Sequence, residues 1–200
     1  MIESGLLRMG AYGDGSYWKE RQDLLYYKYL DFIIRSIGQK AVSLLDVGTG
    51  NCPYLEWFDW IPDRVSFDRR NPYTSPSVKG LEGDLLKYKF ARSYDIVTCL
   101  QVLEHVPEPK PFASKLLELS TTLIISVPYN WPKGKCKGHI NDPVDTEVLK
   151  KWFSRDPNYS IVVEEPFRHV CHERLIAIYC KESNIKFTKY RSTRFLREMG

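Results

Sequence analysis

The chain lacks the features that would tie it to a membrane, an oxidising compartment or a phosphate-cradling loop. No apolar run approaches the roughly 20 residues that span a bilayer, so no membrane span is expected. No basic stretch followed by an apolar one heads the sequence, so no secretory leader is expected either. The five cysteines (Cys52, Cys99, Cys136, Cys171 and Cys180) are odd in number and form no Cys-x-x-Cys pair. That argues against a disulfide framework and for a reducing, cytoplasmic setting. No Gly-Lys-Ser/Thr follows a glycine-rich turn, which excludes a Walker loop. An excess of one charge is missing too: 29 basic and 25 acidic side chains leave +4, too little to imply a nucleic-acid partner. Internal repeats and low-complexity stretches are absent. What remains is ordinary globular composition, and 200 residues suit one domain with a sizeable core.

The organising stretch is Ser43-Leu44-Leu45-Asp46-Val47-Gly48-Thr49-Gly50-Asn51. A short, nearly continuous apolar run reads as a buried parallel strand. Glycines just past its end permit a tight turn and close approach of a ligand to the backbone. Asp46 then lies at the carboxyl end of a strand, where open α/β sheets bind ligands. A dinucleotide site would want a third glycine, but the run continues Asn51-Cys52-Pro53, which weakens a pyrophosphate reading.

Around this stretch the pattern alternates. A long helix is predicted from Ser16, a plausible N-cap, to about Ile37, with Gly38 as its stop. Strands are predicted at 42–47, 64–68, within 78–86, at 94–100 and at 122–127. Helices are predicted at 54–58, 110–119 and 145–153. The Pro- and Gly-rich segment Pro128–Pro143 reads as a long functional loop. Two last strands, 159–165 and 174–180, are joined by a short link and predict a hairpin forming an antiparallel edge. The expectation is an α/β three-layer sandwich: a Rossmann-like, mostly parallel seven-stranded sheet with an antiparallel C-terminal hairpin strand. It forms a single domain over 1–200, with a cap-helix region at 1–40 and a basic tail at 181–200.

These residues resemble class I S-adenosylmethionine-dependent methyltransferases over about 17–180, in the branch that methylates small-molecule or glycan hydroxyls. Leu44–Gly50 looks like the family's first motif. Asp68, 22 positions after Asp46, stands where the family places an acid for the ribose hydroxyls. Gly83-Asp84 looks like the acid that meets the adenine amino group. Tyr94-Asp95-Ile96-Val97 and Leu103-Glu104-His105-Val106 resemble the strand-four motif and its sequel. Tyr17-Trp18-x-x-Arg21 looks like a helix that covers the cofactor. The resemblance implies S-adenosylmethionine as cofactor, held by Asp46, Gly48, Gly50, Asp68, Asp84, Leu85, Gln101, Tyr17 and Arg21. One departure is Cys52, where the family often has a third small residue. The chemistry agrees: carboxylates at two strand ends can accept ribose hydroxyls in charge-assisted bonds, and no phosphate needs cradling.

Methyl transfer is an in-line displacement that needs alignment, and an alcohol acceptor must also lose its proton. Candidates for that task are His105, after the fourth strand, and His139 with Asp142, in the long loop. The plainer readings are a backbone-bonded His105, a solvated His139, and Asp142 and Asp145 capping the next helix. Glu104, His105, His139 and Asp142 could also converge on a divalent metal ion. Cys136-x-x-His139 and Cys171-His172 invite zinc, but the spacing of four ligands is poor. Tyr129, Asn130, Trp131 and Lys133 offer aromatic planes and polar groups suited to a sugar. The expected acceptor is therefore a sugar or glycan hydroxyl. The alternatives are N- or O-methylation of another small metabolite, or a cofactor-binding module without activity.

Overall fold

Apolar runs too short for amphipathic helices become the strands of one sheet. The computed structural model describes residues 16–167 and 171–181, and of Ser16 and Tyr17 the backbone only. The predicted basic tail beyond position 181 and the Tyr17 side chain lie outside the described residues. The strands are β1 Ser43–Val47, β2 Asp63–Asp68, β3 Val78–Glu82, β4 Tyr94–Leu100, β5 Ser120–Pro128, β6 Tyr159–Glu164 and β7 Glu173–Cys180. The α-helices are α1 Ser16–Lys19, α2 Leu25–Ile37, α3 Pro109–Leu119 and α4 Thr146–Phe153, and Pro53–Phe58 and Leu103–His105 form 3₁₀ turns.

The sheet has seven strands in the order β3-β2-β1-β4-β5-β7-β6. The pairs from β3 to β5 are parallel, and β7 runs antiparallel to both β5 and β6. The predicted hairpin forms at this edge of the sheet, and its reversed strand is the inner member. β7 inserts between β5 and β6, and seven of its eight residues are buried. β6 takes the edge and alternates exposed and inward positions.

Adjacent strand residues face opposite sides, so the sheet builds two cores. Leu44, Ile96, Ile124 and Ile178 pack with Tyr26, Leu30 and Ile34 of α2. Leu45, Val97, Leu123 and Ala177 pack with Leu116 of α3 and Leu149 and Phe153 of α4. Each fully buried Leu or Ile contributes roughly 1.5–3 kcal/mol, which is why both layers hold.

The single helix expected over 16–37 is two. The chain turns after Lys19, with Arg21 and Gln22 N–H groups donating to the Trp18 carbonyl. It restarts at Leu25 because a distant acid caps it: the Glu165 carboxylate accepts from Leu25 N at 2.8 Å and Tyr26 N at 3.1 Å. Glu165 in turn pairs with Arg174 at 3.8 Å, both side chains 5% exposed. At the far end Gly38 closes α2 by donating to the Ile34 carbonyl, as expected.

Candidate active site

The strand order reverses between β1 and β4, and a cleft opens at the carboxyl ends of these two strands, as doubly wound sheets dictate. Gly48, Thr49 and Gly50 line it from the β1 side, Gln101 from β4, and Tyr26 and Tyr27 from α2. Gly48 (φ 83°) and Gly50 (φ 57°) take the left-handed backbone the turn requires. A Cβ on Gly48 would lie 2.3 Å from Val102 Cγ2, so only glycine fits between the turn and the segment leaving β4.

Two acids hold this turn. Asp68, at the end of β2, accepts Gly50 N through Oδ2 at 3.0 Å, and through Oδ1 it accepts Arg70 N and Asn71 N. Asp46 is 2% exposed, and its Oδ1 accepts the hydroxyls of Tyr54 at 2.5 Å and Thr98 at 2.6 Å. Burial pushes its carboxyl up to about 6, while the Thr98 and Tyr54 bonds pull the other way. Tyr54 and Thr98, which brace Asp46 beside the cleft, are not singled out by the sequence. Their only signals were a polar residue inside an apolar strand and a tyrosine just after the glycine turn. The Cys52 thiol, pushed up to about 12 by burial, is inert beside them.

The remaining expected cofactor residues are placed as follows. Arg21 is close enough to the cleft for its charge to act on the Cys52 thiol. Gln101 adopts φ 57° and donates through Nε2 to Ser126 Oγ, so it turns the chain at the end of β4. Asp84 Oδ1 accepts Leu86 N at 3.0 Å, an Asx turn that caps the short 84–88 turn. The Leu85 side chain is buried in the core, which leaves its backbone as the part a ligand could meet.

The acceptor-side candidates, far apart in sequence, meet in space. Ile140 N and Asn141 N both donate to the Glu104 carbonyl, and the Asn141 side chain donates to the Leu103 and Val106 carbonyls. These bonds fasten the long loop onto the 3₁₀ turn after β4. His105 and His139 then face each other edge to face at 4.7 Å. His139 Nδ1 donates to Asp142 Oδ2 at 2.7 Å, with side chains 5% and 0% exposed. Burial lowers the His139 imidazole below its ordinary value, against the raising effect of Asp142, so the ring is neutral near pH 7. Trp131 stacks on His139 at 5.7 Å, donates its indole N–H to the Glu173 carbonyl and lies under Arg174. Of the two plainer readings for the loop acids, Asp145 does cap α4, accepting Val148 N at 2.7 Å, whereas Asp142 serves His139.

Glu104 stands apart. It is fully buried, and neither carboxylate oxygen has a hydrogen-bond partner among the described residues. Burial pushes its carboxyl up to about 8. Glu104, His105 and His139 each offer one donor atom, all within 4.8 Å of one another. Asp142 is not one of these three donors and stands behind His139.

No family model matches the sequence, and no curated protein matches it. Solved structures do resemble it. The N-methyltransferase NodS from Bradyrhizobium japonicum, in complex with S-adenosyl-L-homocysteine, aligns with TM-score 0.62 at 11% identity, covering 84% of this chain and 93% of that one. An S-adenosylmethionine-dependent methyltransferase from Clostridium acetobutylicum aligns at 0.54 and 11% identity, covering 80% and 93%. The N-terminal domain of EvdMO1, in the presence of S-adenosyl-L-homocysteine and D-fucose, aligns at 0.55 and 14% identity, covering 76% and 80%. At such identities the likeness is one of architecture: the chain has the Rossmann-like fold of S-adenosylmethionine-dependent methyltransferases.

Proposed function

We propose that this chain binds S-adenosylmethionine in the β1–β4 cleft and transfers its methyl group to a hydroxyl, that of a sugar or glycan. The observation that carries the reading is the juxtaposition of two half-sites. A glycine turn braced by Asp46 and Asp68 suits a sulfonium nucleoside, which has a diol to bind and no phosphate to cradle. On the segment leaving the same cleft, a neutral His139 oriented by Asp142 suits an acceptor that must lose a proton. His139 bonds Asp142 through Nδ1, so Nε2 is the atom that addresses the acceptor. The in-line geometry of the displacement does the rest.

The sugar assignment draws on the polar, aromatic-rich loop around Tyr129 and Asn130 and on the D-fucose named with EvdMO1. Trp131, first read as a sugar platform, is engaged by His139 and Arg174, so its part is to hold the base in place. The test is an acceptor screen of sugars, glycans and small amines with methyl-labelled S-adenosylmethionine, the product mapped by mass spectrometry. Label on a sugar oxygen is the expected result. Label on nitrogen would move the assignment to amine methylation. Cofactor binding without transfer to any acceptor would favour a binding module.

A further inference from the structure

We infer that Glu104, His105 and His139 form a three-donor site for a divalent first-row transition ion, and that this ion holds the acceptor hydroxyl. The inference deepens the proposed function and rests on it for the role of the ion, though not for its binding.

Three independent features converge. The first is placement: one oxygen of Glu104 and one nitrogen from each histidine lie within 4.8 Å of one another, and Glu104 Oε1 is 4.0 Å from His105 Nε2. Donors around an ion with bonds of about 2.1 Å sit roughly 3–4 Å apart, so shifts of about an ångström close the set. The second is the state of the two rings. His105 Nδ1 meets the Gly138 carbonyl at 2.9 Å, and a carbonyl can only accept, so Nδ1 carries the proton. His139 Nδ1 likewise faces the Asp142 carboxylate at 2.7 Å. Both Nε2 atoms are left with bare lone pairs. A carbonyl or carboxylate behind each imidazole is the outer arrangement that orients metal-binding histidines. The third is Glu104 itself, a fully buried carboxylate whose two oxygens have no hydrogen-bond partner among the described residues. A carboxyl without hydrogen-bond partners is costly to ionise in so dry a place, and a cation held beside it and the imidazole nitrogens offsets that cost.

The donor set selects the ion. Two imidazoles and one carboxylate suit manganese, iron, cobalt or zinc, whereas magnesium and calcium favour all-oxygen sites. Three ligands from one side leave positions open for water or a substrate oxygen. Glu104 follows Gln101, which lines the cofactor cleft, by three residues, so the open positions belong to the acceptor side. A hydroxyl bound there is acidified by the ion and gives its proton to solvent water. With the ion in place, His139 is its ligand, and the ion takes over the work that the bare imidazole would do as base.

The test is direct binding of Mn²⁺ to the full chain after chelator treatment, without cofactor or acceptor, followed by electron paramagnetic resonance. Expected are one saturable ion per chain, ¹⁴N couplings from two imidazoles, and affinity at least ~10-fold weaker in Glu104→Gln and His105→Ala. Glu104→Gln is isosteric and neutral, and calorimetry with S-adenosylmethionine on the same samples reports whether the fold is intact. No saturable binding, binding without nitrogen couplings, or binding unchanged in Glu104→Gln would each overturn the inference. Such a failure leaves methyl transfer standing. Loss of cofactor binding with the manganese site intact would remove the proposed function and leave the ion.

Discussion

The two halves of the site hold their acids in opposite ways. At the cofactor end, Asp46 and Asp68 receive five hydrogen bonds between them, from Tyr54, Thr98, Gly50, Arg70 and Asn71. At the acceptor end, Glu104 is as buried as Asp46, and neither of its oxygens has a hydrogen-bond partner among the described residues. The first half is a finished socket whose polar groups fix a turn. The second is anchored through the backbone and leaves an unpartnered carboxyl beside two imidazoles that meet edge to face. A socket sets affinity and a poised cluster sets rate, so damage to each should appear in a different kinetic constant.

The largest effect belongs to His139→Ala, on the acceptor side. Turnover should fall by roughly 10²–10⁴-fold with cofactor affinity kept, as measured by labelled methyl transfer beside calorimetry. Normal turnover in this variant would remove His139 from the chemistry. Asp68→Ala should do the reverse. Loss of a charge-assisted partner weakens cofactor binding by about 10–100-fold, while turnover at saturating cofactor changes little.

The finished half can be sharpened by pH. The Asp46 carboxyl is raised from 3.8 to about 6 in the folded protein, so the native state holds its proton more tightly than the unfolded chain. Its contribution to stability is therefore full below pH 3.8 and declines as pH rises to about 6, by on the order of 3 kcal/mol, then stays flat. In Asp46→Asn that decline should vanish from urea unfolding curves taken across the window. A slope unchanged by the substitution would locate it elsewhere.

The smallest expected effect concerns the brace behind both halves. Glu165→Ala removes the cap from α2 and the partner of Arg174, which lies over Tyr26 and Trp131. Stability should drop by about 1–2 kcal/mol in denaturant unfolding. Turnover should fall less than in His139→Ala, because Trp131 only positions the ring.

Legibility in the sequence followed the range of the interactions. β1, β2, β4 and β5 were readable because a buried parallel strand is written in consecutive apolar residues. The glycine turn was readable because its conformation is local. The break between α1 and α2 was not, since residues 20–24 are compatible with helix and the cap, Glu165, lies 140 residues beyond Leu25. His105 and His139 were each visible as candidates, but their meeting depends on Asn141 and on N–H bonds to the Glu104 carbonyl, which leave no periodic trace. The place of β7 inside the sheet follows from its buried pattern, yet the hairpin alone did not say which of its strands would pair with β5.

A sulfonium-nucleoside site in the β1–β4 cleft stands or falls on calorimetric titration of the chain with S-adenosylmethionine. Saturable one-to-one binding that weakens in Asp68→Ala and persists in His139→Ala is expected. No heat of binding in the wild-type chain, or binding indifferent to Asp68→Ala, would contradict it.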